Sequence, residues 1–396
     1  MIFQTFNALL TMACLGLVAV TSVLFVQALG ALFGAARSLP LAAVRPLIAV
    51  LTPAHNEEAG IEALVSSVRA QLADGDRLLV VADNCDDRTA ELAERAGAEV
   101  VVRRDPGRRG KGYALDEGLR HLEKAPPEVV VFLDADCQIS PGGVSKLARA
   151  SAGTGAPVQC LNLMVVNPAN GDQSRLAEFA WRIKNDFRAN GYARLGLPSQ
   201  LFGTGMAFPW ACIAPRLFAT GHVAEDIMVG LAMAKAGHAP RFFQDVMVVS
   251  HFPETRSGAD QQKKRWMHGH LQLISTHVPP LMWHALRKRD GDTLALAVDL
   301  LVPPLVLLGL ANASLFAVGA AWALLTGSSA PMIVAIVSCC LLAASLGGAW
   351  AVHGRDLIGT KELRELPAHL IRVVNATAGF VAGQRSIWIR ADRRTH

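Results

Sequence analysis

The chain combines long, purely apolar stretches with a middle region in which short apolar runs alternate with polar segments. Residues 1–36 contain no charged side chain, and a helix needs only about 20 apolar residues to cross a bilayer. A cleaved signal peptide would have a basic start and a shorter apolar core. Two more apolar stretches lie near 300–325 and 332–352. The pattern predicts a transmembrane helix over 1–37 and a transmembrane hairpin over 294–353.

Basic residues flank these apolar stretches on one side only, which orients them by the positive-inside rule. The flanking cations are Arg37, Arg45, Arg287, Lys288, Arg289, Arg355, Lys361 and Arg364. This predicts an integral inner (plasma) membrane protein with three spans, its N-terminus outside and its central domain in the cytosol. Residues 276–293 and 354–396 mix apolar and basic residues and are predicted to lie on the membrane surface; ordinary packed helices are the alternative.

The middle region alternates between strand-like and helix-like patterns. Apolar runs at 47–51, 77–81, 99–102 and 129–133 predict buried strands, and the segments 57–71, 86–96 and 112–124 between them have helical spacing. Ser140 is expected to cap a further helix. Strands that alternate with helices predict an α/β domain over 38–275, with a mainly parallel, Rossmann-like sheet covered on both faces.

Composition narrows the class of protein. The 396 residues are 52% hydrophobic and only 18% charged, with a mean hydropathy of +0.31. Soluble domains carry about 25% charged residues, so the composition argues against a purely soluble protein. The net charge of +5 and the two tyrosines give no indication of nucleic-acid binding. Seven cysteines without a C-x-x-C pair argue against a zinc site or a disulfide framework.

Three predicted strands end in polar clusters: residues 52–57, residues 83–87 and residues 134–136. Ligands of open α/β sheets bind beyond the carboxyl ends of the strands, so these clusters are expected to share one crevice. The alternative is that the acidic residues only form turns and cap helices. Asp134 and Asp136 follow the run VVVFL, where two carboxylates one residue apart suit a hard divalent cation such as Mg²⁺.

Several familiar nucleotide and hydrolase motifs are absent from the sequence. Neither G-x-G-x-x-G after the first strand nor a P-loop occurs, which disfavours a dinucleotide dehydrogenase and a P-loop NTPase. No G-x-S-x-G elbow is found either. The loop DPGRRGK, residues 105–111, is basic and could meet a pyrophosphate or be simply solvated.

Two later segments complete the set of candidate motifs. Glu225 and Asp226 open a helical stretch, and QKKRW at 262–266 precedes the membrane-proximal segment. In order along the chain, PAHNE, DNCDD, DAD, ED and QxxRW resemble the motifs of membrane-bound family 2 glycosyltransferases. This group has a GT-A fold and includes cellulose and hyaluronan synthases and ceramide glucosyltransferases. The resemblance covers about residues 46–275.

The resemblance implies a role for each matching residue. Pro53, His55, Glu57 and Asp83 would hold the uridine of a UDP-sugar, and Lys111 would reach the uracil or the diphosphate. Asp134 would lie near the ribose and the metal, and Asp136 would ligate Mg²⁺ or Mn²⁺. Asp226 would be the general base, with Glu225 beside it. Gln262, Arg265 and Trp266 would close over the diphosphate, and Gly203, Thr204 and Gly205 would line the acceptor pocket with Trp266.

The resemblance also implies an activity. The expected enzyme is an inverting hexosyltransferase that forms a β-linkage on a lipid-linked or glycan acceptor at the cytosolic membrane face. Bacterial exopolysaccharide or glycolipid biosynthesis is the preferred context. A processive synthase acting as an oligomer, a transport role, and a non-catalytic nucleotide-sugar-binding protein are the alternatives. The donor sugar, the acceptor and the choice between Mg²⁺ and Mn²⁺ stay open.

Overall fold

The computed structural model describes residues 1–166, 175–222, 224–253 and 256–381. Its strands are β1 Ile48–Ala54, β2 Arg77–Asp83, β3 Glu99–Arg103, β4 Val129–Phe132, β5 Gln138–Ile139, β6 Val158–Val165, β7 Met206–Pro209 and β8 Arg241–His251. Its α-helices are α1 Ile2–Phe33, α2 Ile61–Arg69, α3 Thr89–Arg95, α4 Lys111–Leu122, α5 Gly143–Thr154, α6 Arg175–Arg182, α7 Ala189–Arg194, α8 Glu225–Lys235, α9 Arg256–Thr276, α10 Val278–Lys288, α11 Gly291–Leu300, α12 Leu305–Thr326, α13 Ala330–His353 and α14 Thr360–Val381. A π-helix spans Ile183–Arg188 and a 3₁₀-helix spans Trp210–Cys212.

The strands form one mixed sheet in the order β3-β2-β1-β4-β7-β6-β8-β5. The first four strands of that order run parallel to one another. Strand β7 then pairs antiparallel with β4 and β6, and the short β5 pairs antiparallel with β8. The predicted mainly parallel α/β sheet of a GT-A fold is confirmed.

Helices cover both faces of this sheet because alternate strand residues point to opposite sides. Ile48 and Val50 of β1 are buried with α2 and α5. Ala49 and Leu51, one register away, are buried with α4 and α8 on the other face. Each face therefore has its own apolar core, and the carboxyl ends of β1, β2 and β4 open at one edge.

Two predictions at the element level need correction or extension. Ser140 is not a helix cap, because α5 begins at Gly143 with Gly142 as its N-cap residue. The Ser140 hydroxyl instead accepts a hydrogen bond from the Met247 amide at 3.2 Å, where β5 meets β8. The sequence pattern does not predict strands β5 to β8, because long connections separate them and they carry polar residues such as Gln159.

The chain divides into two compact units, and 175–195 belongs to the unit that contains the apolar helices. In that unit, Ile2–Phe33, Leu305–Thr326 and Ala330–His353 are long and apolar enough to cross a membrane, as predicted. Most of the apolar surface of each is not buried by protein. The predicted domain boundaries at 37, 275, 293 and 353 stay predictions.

Polar contacts cross-link the helices within the apolar unit. The Thr21 and Ser338 hydroxyls lie 3.0 Å apart, both buried. Arg188 donates to the Asp299 carboxylate at 2.7 Å and to Gln27 Oε1 at 2.8 Å. The tail forms helix α14 over Thr360–Val381, and residues 382–396 lie outside the described residues. The predicted position of the tail on the membrane surface stays a prediction.

Candidate active site

The ends of β1 and β2 are joined by direct hydrogen bonds. His55 Nδ1 lies 2.6 Å from the Asp83 carbonyl oxygen, and the Asp86 amide donates to Asn56 Oδ1 at 2.8 Å. Asn56 and Asn84 have φ angles of 54° and 52°, a left-handed conformation that asparagine tolerates better than most residues. These two turns bring the first two predicted clusters together, as the strand-end pattern predicts.

Asp83 forms part of the wall of this crevice. Its carboxylate lies 2.5 Å from Arg103 Nη1 at the end of β3 and accepts a second hydrogen bond from Asn84 Nδ2 at 2.9 Å. Both charged side chains are less than 10% exposed. Burial raises the pKa of Asp83, although Arg103 opposes the shift. Arg103 is a site residue that the motif pattern does not reveal, because it lies 20 positions from its partner.

Asp134 and Asp136 follow β4 and form the candidate cation site. Oxygen atoms of both carboxylates and Cys137 Sγ lie within 4.8 Å of one another. The Asp134 amide donates to the Thr204 hydroxyl at 3.0 Å. Burial raises the pKa of Cys137 well above its usual value, so the residue is a thiol at neutral pH. The two carboxylates are thus the hard oxygen donors that Mg²⁺ or Mn²⁺ prefers.

Lys111, the first residue of α4, lies between two of the predicted groups. Its ammonium group is 2.5 Å from Asp134 Oδ1 and donates to the Gly203 carbonyl at 2.8 Å. Burial alone would lower the pKa of Lys111, but the charges of Asp134, Glu225 and Asp226 raise it. Lys111 is therefore a fixed cation within an acidic cluster.

Glu225 and Asp226 form the first turn of α8, where a helix favours negative charge. Asp226 Oδ1 accepts from the Ile227 amide at 2.9 Å. A Cβ built on Gly203 would lie 3.4 Å from both Asp226 Oδ2 and Lys111 Nζ, so this glycine lies where both groups meet. Burial and the neighbouring Asp226 raise the pKa of Glu225 to about 8.

The segment Phe202–Met206 is positioned by a buried glutamine of β6. Gln159 is fully buried, donates to the Thr204 carbonyl at 2.9 Å and accepts from the Phe202 amide at 2.7 Å. Gly203 and Gly205 have φ angles of 86° and 63°, which favour glycine. The sequence signal for Gln159 is that β6 carries only two polar residues, Gln159 and Asn162.

Helix α9 carries the predicted Q-x-x-R-W residues. Gln262 is buried, and its Oε1 has no hydrogen-bond partner among the described residues. Burial lowers the pKa of Arg265, and the charge of Glu225 opposes this shift, so the two side chains interact electrostatically. Trp266 is half-buried. Gln262 and Arg265 are three positions apart and share a helix face.

The acidic cluster thus consists of Asp134, Asp136, Glu225 and Asp226 around Lys111. Burial also raises the pKa of Asp134, against the effect of Lys111. Even with Glu225 protonated, the three remaining carboxylates exceed the single ammonium group, which is the imbalance that a divalent cation would offset. In the first predicted cluster, Pro53 lies within β1 and pairs with Val81. The Glu57 amide of the same cluster donates to the Thr89 hydroxyl at 2.7 Å.

Comparison with known proteins identifies the central part of the chain. Residues 49–209 match the family model "Glycosyl transferase family 2". The low-salt glycan biosynthesis hexosyltransferase of Haloferax volcanii is 37% identical over 98 residues, which are 24% of this chain and 22% of that protein. Glucosyl-3-phosphoglycerate synthase of Mycobacterium tuberculosis is 41% identical over 96 residues, 22% of this chain and 28% of the synthase. The matches thus span less than a third of the length of these two relatives.

A solved structure supports the fold over nearly the whole chain. A mannosyltransferase from Pyrobaculum calidifontis, determined in complex with GDP-Man and Mn²⁺, superposes with a TM-score of 0.58 at 20% identity. The superposition covers 95% of this chain and 100% of the mannosyltransferase. The chain therefore has a GT-A fold, and its residues 49–209 match the model of glycosyl transferase family 2.

Proposed function

We propose that the protein is an inverting, metal-dependent glycosyltransferase that uses a UDP-sugar and has Asp226 as its general base. One observation carries this proposal: Lys111 and Gly203 place the strand-end carboxylate Asp134 next to the helix carboxylate Asp226. A transferase needs these two kinds of group together, one for the donor diphosphate and one for the acceptor hydroxyl.

The metal fits the chemistry of its candidate ligands. Asp136 and Asp134 would hold Mg²⁺ or Mn²⁺ through carboxylate oxygens, and the surplus of negative charge favours a divalent cation. When bound, the cation neutralises charge that develops on the leaving diphosphate. Lys111 and Arg265 are the protein cations available for the same purpose.

The chemistry assigned to the protein is a single displacement. The Asp226 carboxylate accepts the proton of the acceptor hydroxyl while the hydroxyl oxygen forms a bond to the anomeric carbon. The bond between that carbon and the diphosphate oxygen breaks, and its electron pair leaves with UDP. Attack opposite to the leaving group inverts the configuration, so an α-linked donor gives a β-linked product. Glu225, whose pKa is raised to about 8, is protonated near neutral pH and supports Asp226 as a neutral neighbour.

The acceptor is proposed to be a lipid-linked sugar or a glycan at the cytosolic face of the inner membrane. Support comes from the three helices that can cross a membrane and from the basic residues that flank them. The preferred context is exopolysaccharide or glycolipid assembly. Processive synthesis and secretion of a polymer by one subunit is less favoured, because three spans are few for a channel. A processive synthase acting as an oligomer is the alternative.

The test measures release of nucleoside diphosphate by the full chain in nanodiscs. A panel of UDP- and GDP-sugars is offered with Mg²⁺ or Mn²⁺ and a membrane lipid extract. We expect turnover with a UDP-sugar, lost with EDTA and in Asp136→Ala. In Asp226→Asn turnover should fall by roughly 100-fold or more while UDP binding is kept, because only the proton acceptor is removed.

Asp245→Asn is the matched control, since Asp245 is an exposed aspartate of β8. It should retain wild-type turnover. Normal turnover in Asp226→Asn would remove this residue from the mechanism. Binding of UDP without turnover under any of these conditions would favour the non-catalytic alternative.

A further inference from the structure

Besides the acidic cluster, the glycosyltransferase unit has a polar cavity of about 600 Å³ beside β3 and α4. Its size falls within the range of small-molecule sites, about 300–1,000 Å³. Its wall contains five arginines, one tyrosine and three acidic residues: Arg103, Arg104, Arg108, Arg120, Arg216, Tyr113, Asp105, Asp116 and Glu117. We refer to it as the arginine pocket.

Two of the five arginines have no acidic partner among the described residues. Arg108 pairs with Asp105 at 2.9 Å, and Arg120 pairs with Asp116 at 2.8 Å. Arg103 is held by Asp83, as described above. In contrast, Arg104 and Arg216 are exposed, and their side chains form no ion pair or hydrogen bond within the ranges that the structure covers.

The arginine pocket and the acidic cluster lie on different sides of α4. Tyr113, Asp116 and Arg120 share the helix face that lines the pocket. Lys111 and Leu115 belong to another face of the same helix. Lys111 contacts Asp134, and Leu115 is buried in the core against the sheet. The pocket wall includes no residue of the acidic cluster. A ligand in the arginine pocket is therefore not the acceptor under attack at Asp226.

The backbone conformation at Arg216 indicates a defined site rather than an incidental depression of the surface. Arg216 has a φ angle of 60°, which is uncommon for a residue other than glycine, asparagine or aspartate and costs free energy. The loop that contains it packs on α4, where the Tyr113 ring lies 3.2 Å from a Cβ built on Gly221. Arg216 is one of the residues that line the pocket.

We infer that the arginine pocket binds a phosphate-bearing small molecule as a second ligand, separate from the sugar donor. Guanidinium groups offer planar pairs of donors that match phosphate oxygens, and Arg104 and Arg216 are available for this. The site also touches the catalytic apparatus: Arg103 bonds to Asp83, and the Arg216 loop leads into Glu225 and Asp226.

The test uses inorganic pyrophosphate as the probe and isothermal titration of the full chain in nanodiscs, with EDTA present to remove metal-dependent binding. We expect one saturable site in the wild type. The double variant Arg104→Ala/Arg216→Ala should bind at least roughly tenfold more weakly, because two charge-assisted contacts are lost. Arg95→Ala is the matched control, since Arg95 is a 67% exposed arginine that does not line the pocket, and it should bind as the wild type does.

Lys111→Met separates the arginine pocket from the acidic cluster. Pyrophosphate binding should survive this change if the anion lies in the pocket. Unchanged affinity in the double arginine variant, or no saturable binding in the wild type, would overturn the inference. Both replaced arginines are exposed, so melting temperatures equal to that of the wild type will show that the double variant is folded.

Discussion

At the scale of single residues, one ammonium group lies among the carboxyl groups of the acidic cluster and opposes the effect of burial on their ionisation. Lys111 contacts Asp134 directly and acts on Glu225 and Asp226 through its charge. Even so, Glu225 has a pKa of about 8, because burial and Asp226 outweigh Lys111. A carboxyl group that is protonated near neutral pH can stand beside the proposed base, Asp226, as a neutral neighbour.

This pKa makes the stability of the protein depend on pH. The folded-state pKa of Glu225, about 8, lies above its ordinary value of 4.5. The stabilisation associated with its protonated form is therefore complete below pH 4.5 and is lost as the pH rises to about 8. In Glu225→Gln this loss is absent. We expect the melting temperature of Glu225→Gln, relative to wild type, to increase from pH 5 to pH 8 and then level off.

The measurement is a series of thermal melts from pH 5 to pH 9 in EDTA, so that a bound cation does not lower the pKa of Glu225. Glu94→Gln, at an exposed position of α3, is the control for removing a surface carboxylate. A constant difference between Glu225→Gln and wild type across the whole range would show that Glu225 titrates at its ordinary pKa.

The sequence predicts some of these residues better than others. Asp134 and Asp136 follow a buried strand, and this local pattern is enough to suggest a cation site. The contact between Lys111 and Asp134 joins two elements that are adjacent only in the folded sheet, so spacing along the chain does not reveal it. Arg103 and Gln159 were missed for the same reason.

At the scale of elements, the first turn of α4 is held tightly against the loop that precedes α8. A Cβ on Gly112 would lie 2.4 Å from the Thr220 carbonyl oxygen and 2.5 Å from the Phe218 carbonyl oxygen. Both obstacles are backbone atoms, which cannot move aside as a flexible side chain can. This contact couples the position of Lys111 on α4 to that of Asp226 on α8.

Gly112→Ala should therefore reduce both stability and turnover. Forcing a methyl group into a packed site costs about 1–3 kcal/mol, and relief of the clash would displace Lys111 or the loop. Chemical denaturation gives the loss of stability, and nucleoside diphosphate release gives the loss of activity. Gly107→Ala is the control, because its Cβ meets only Asp105 Oδ1 at an ordinary 3.5 Å. Equal stability of Gly112→Ala and Gly107→Ala would contradict the proposed close contact.

The sequence predicts those elements whose pattern lies within a short stretch of the chain. Strands β1 to β4 are apolar runs bounded by turns, and the predicted ranges agree with the observed ones within a few residues. Strand β1 continues to Ala54, three residues beyond its predicted end. Strands β6 to β8 depend on pairing across long loops and on the antiparallel insertion of β7, which periodicity alone does not indicate.

At the scale of the whole molecule, the chain divides its length between a polar α/β unit and an apolar helical unit. The apolar unit buries Arg188 and Asp299 as a hydrogen-bonded pair, which is the arrangement that a buried charge requires. Its three long helices expose mostly apolar side chains, as contact with lipid demands.

The charge asymmetry of the chain predicts how these helices cross the membrane. The loop between α12 and α13 contains no charged residue, whereas Arg287, Lys288 and Arg289 follow one another near the end of α10. Because basic loops remain on the cytosolic side, we expect Ser328 outside and Lys288 inside. In a cysteine-free background, a membrane-impermeant maleimide should label Ser328→Cys in intact cells and Lys288→Cys only in inside-out vesicles. The reverse labelling would place the α/β unit on the outer face, where no cytosolic UDP-sugar could reach Asp226, and the proposed function would then fail together with the topology.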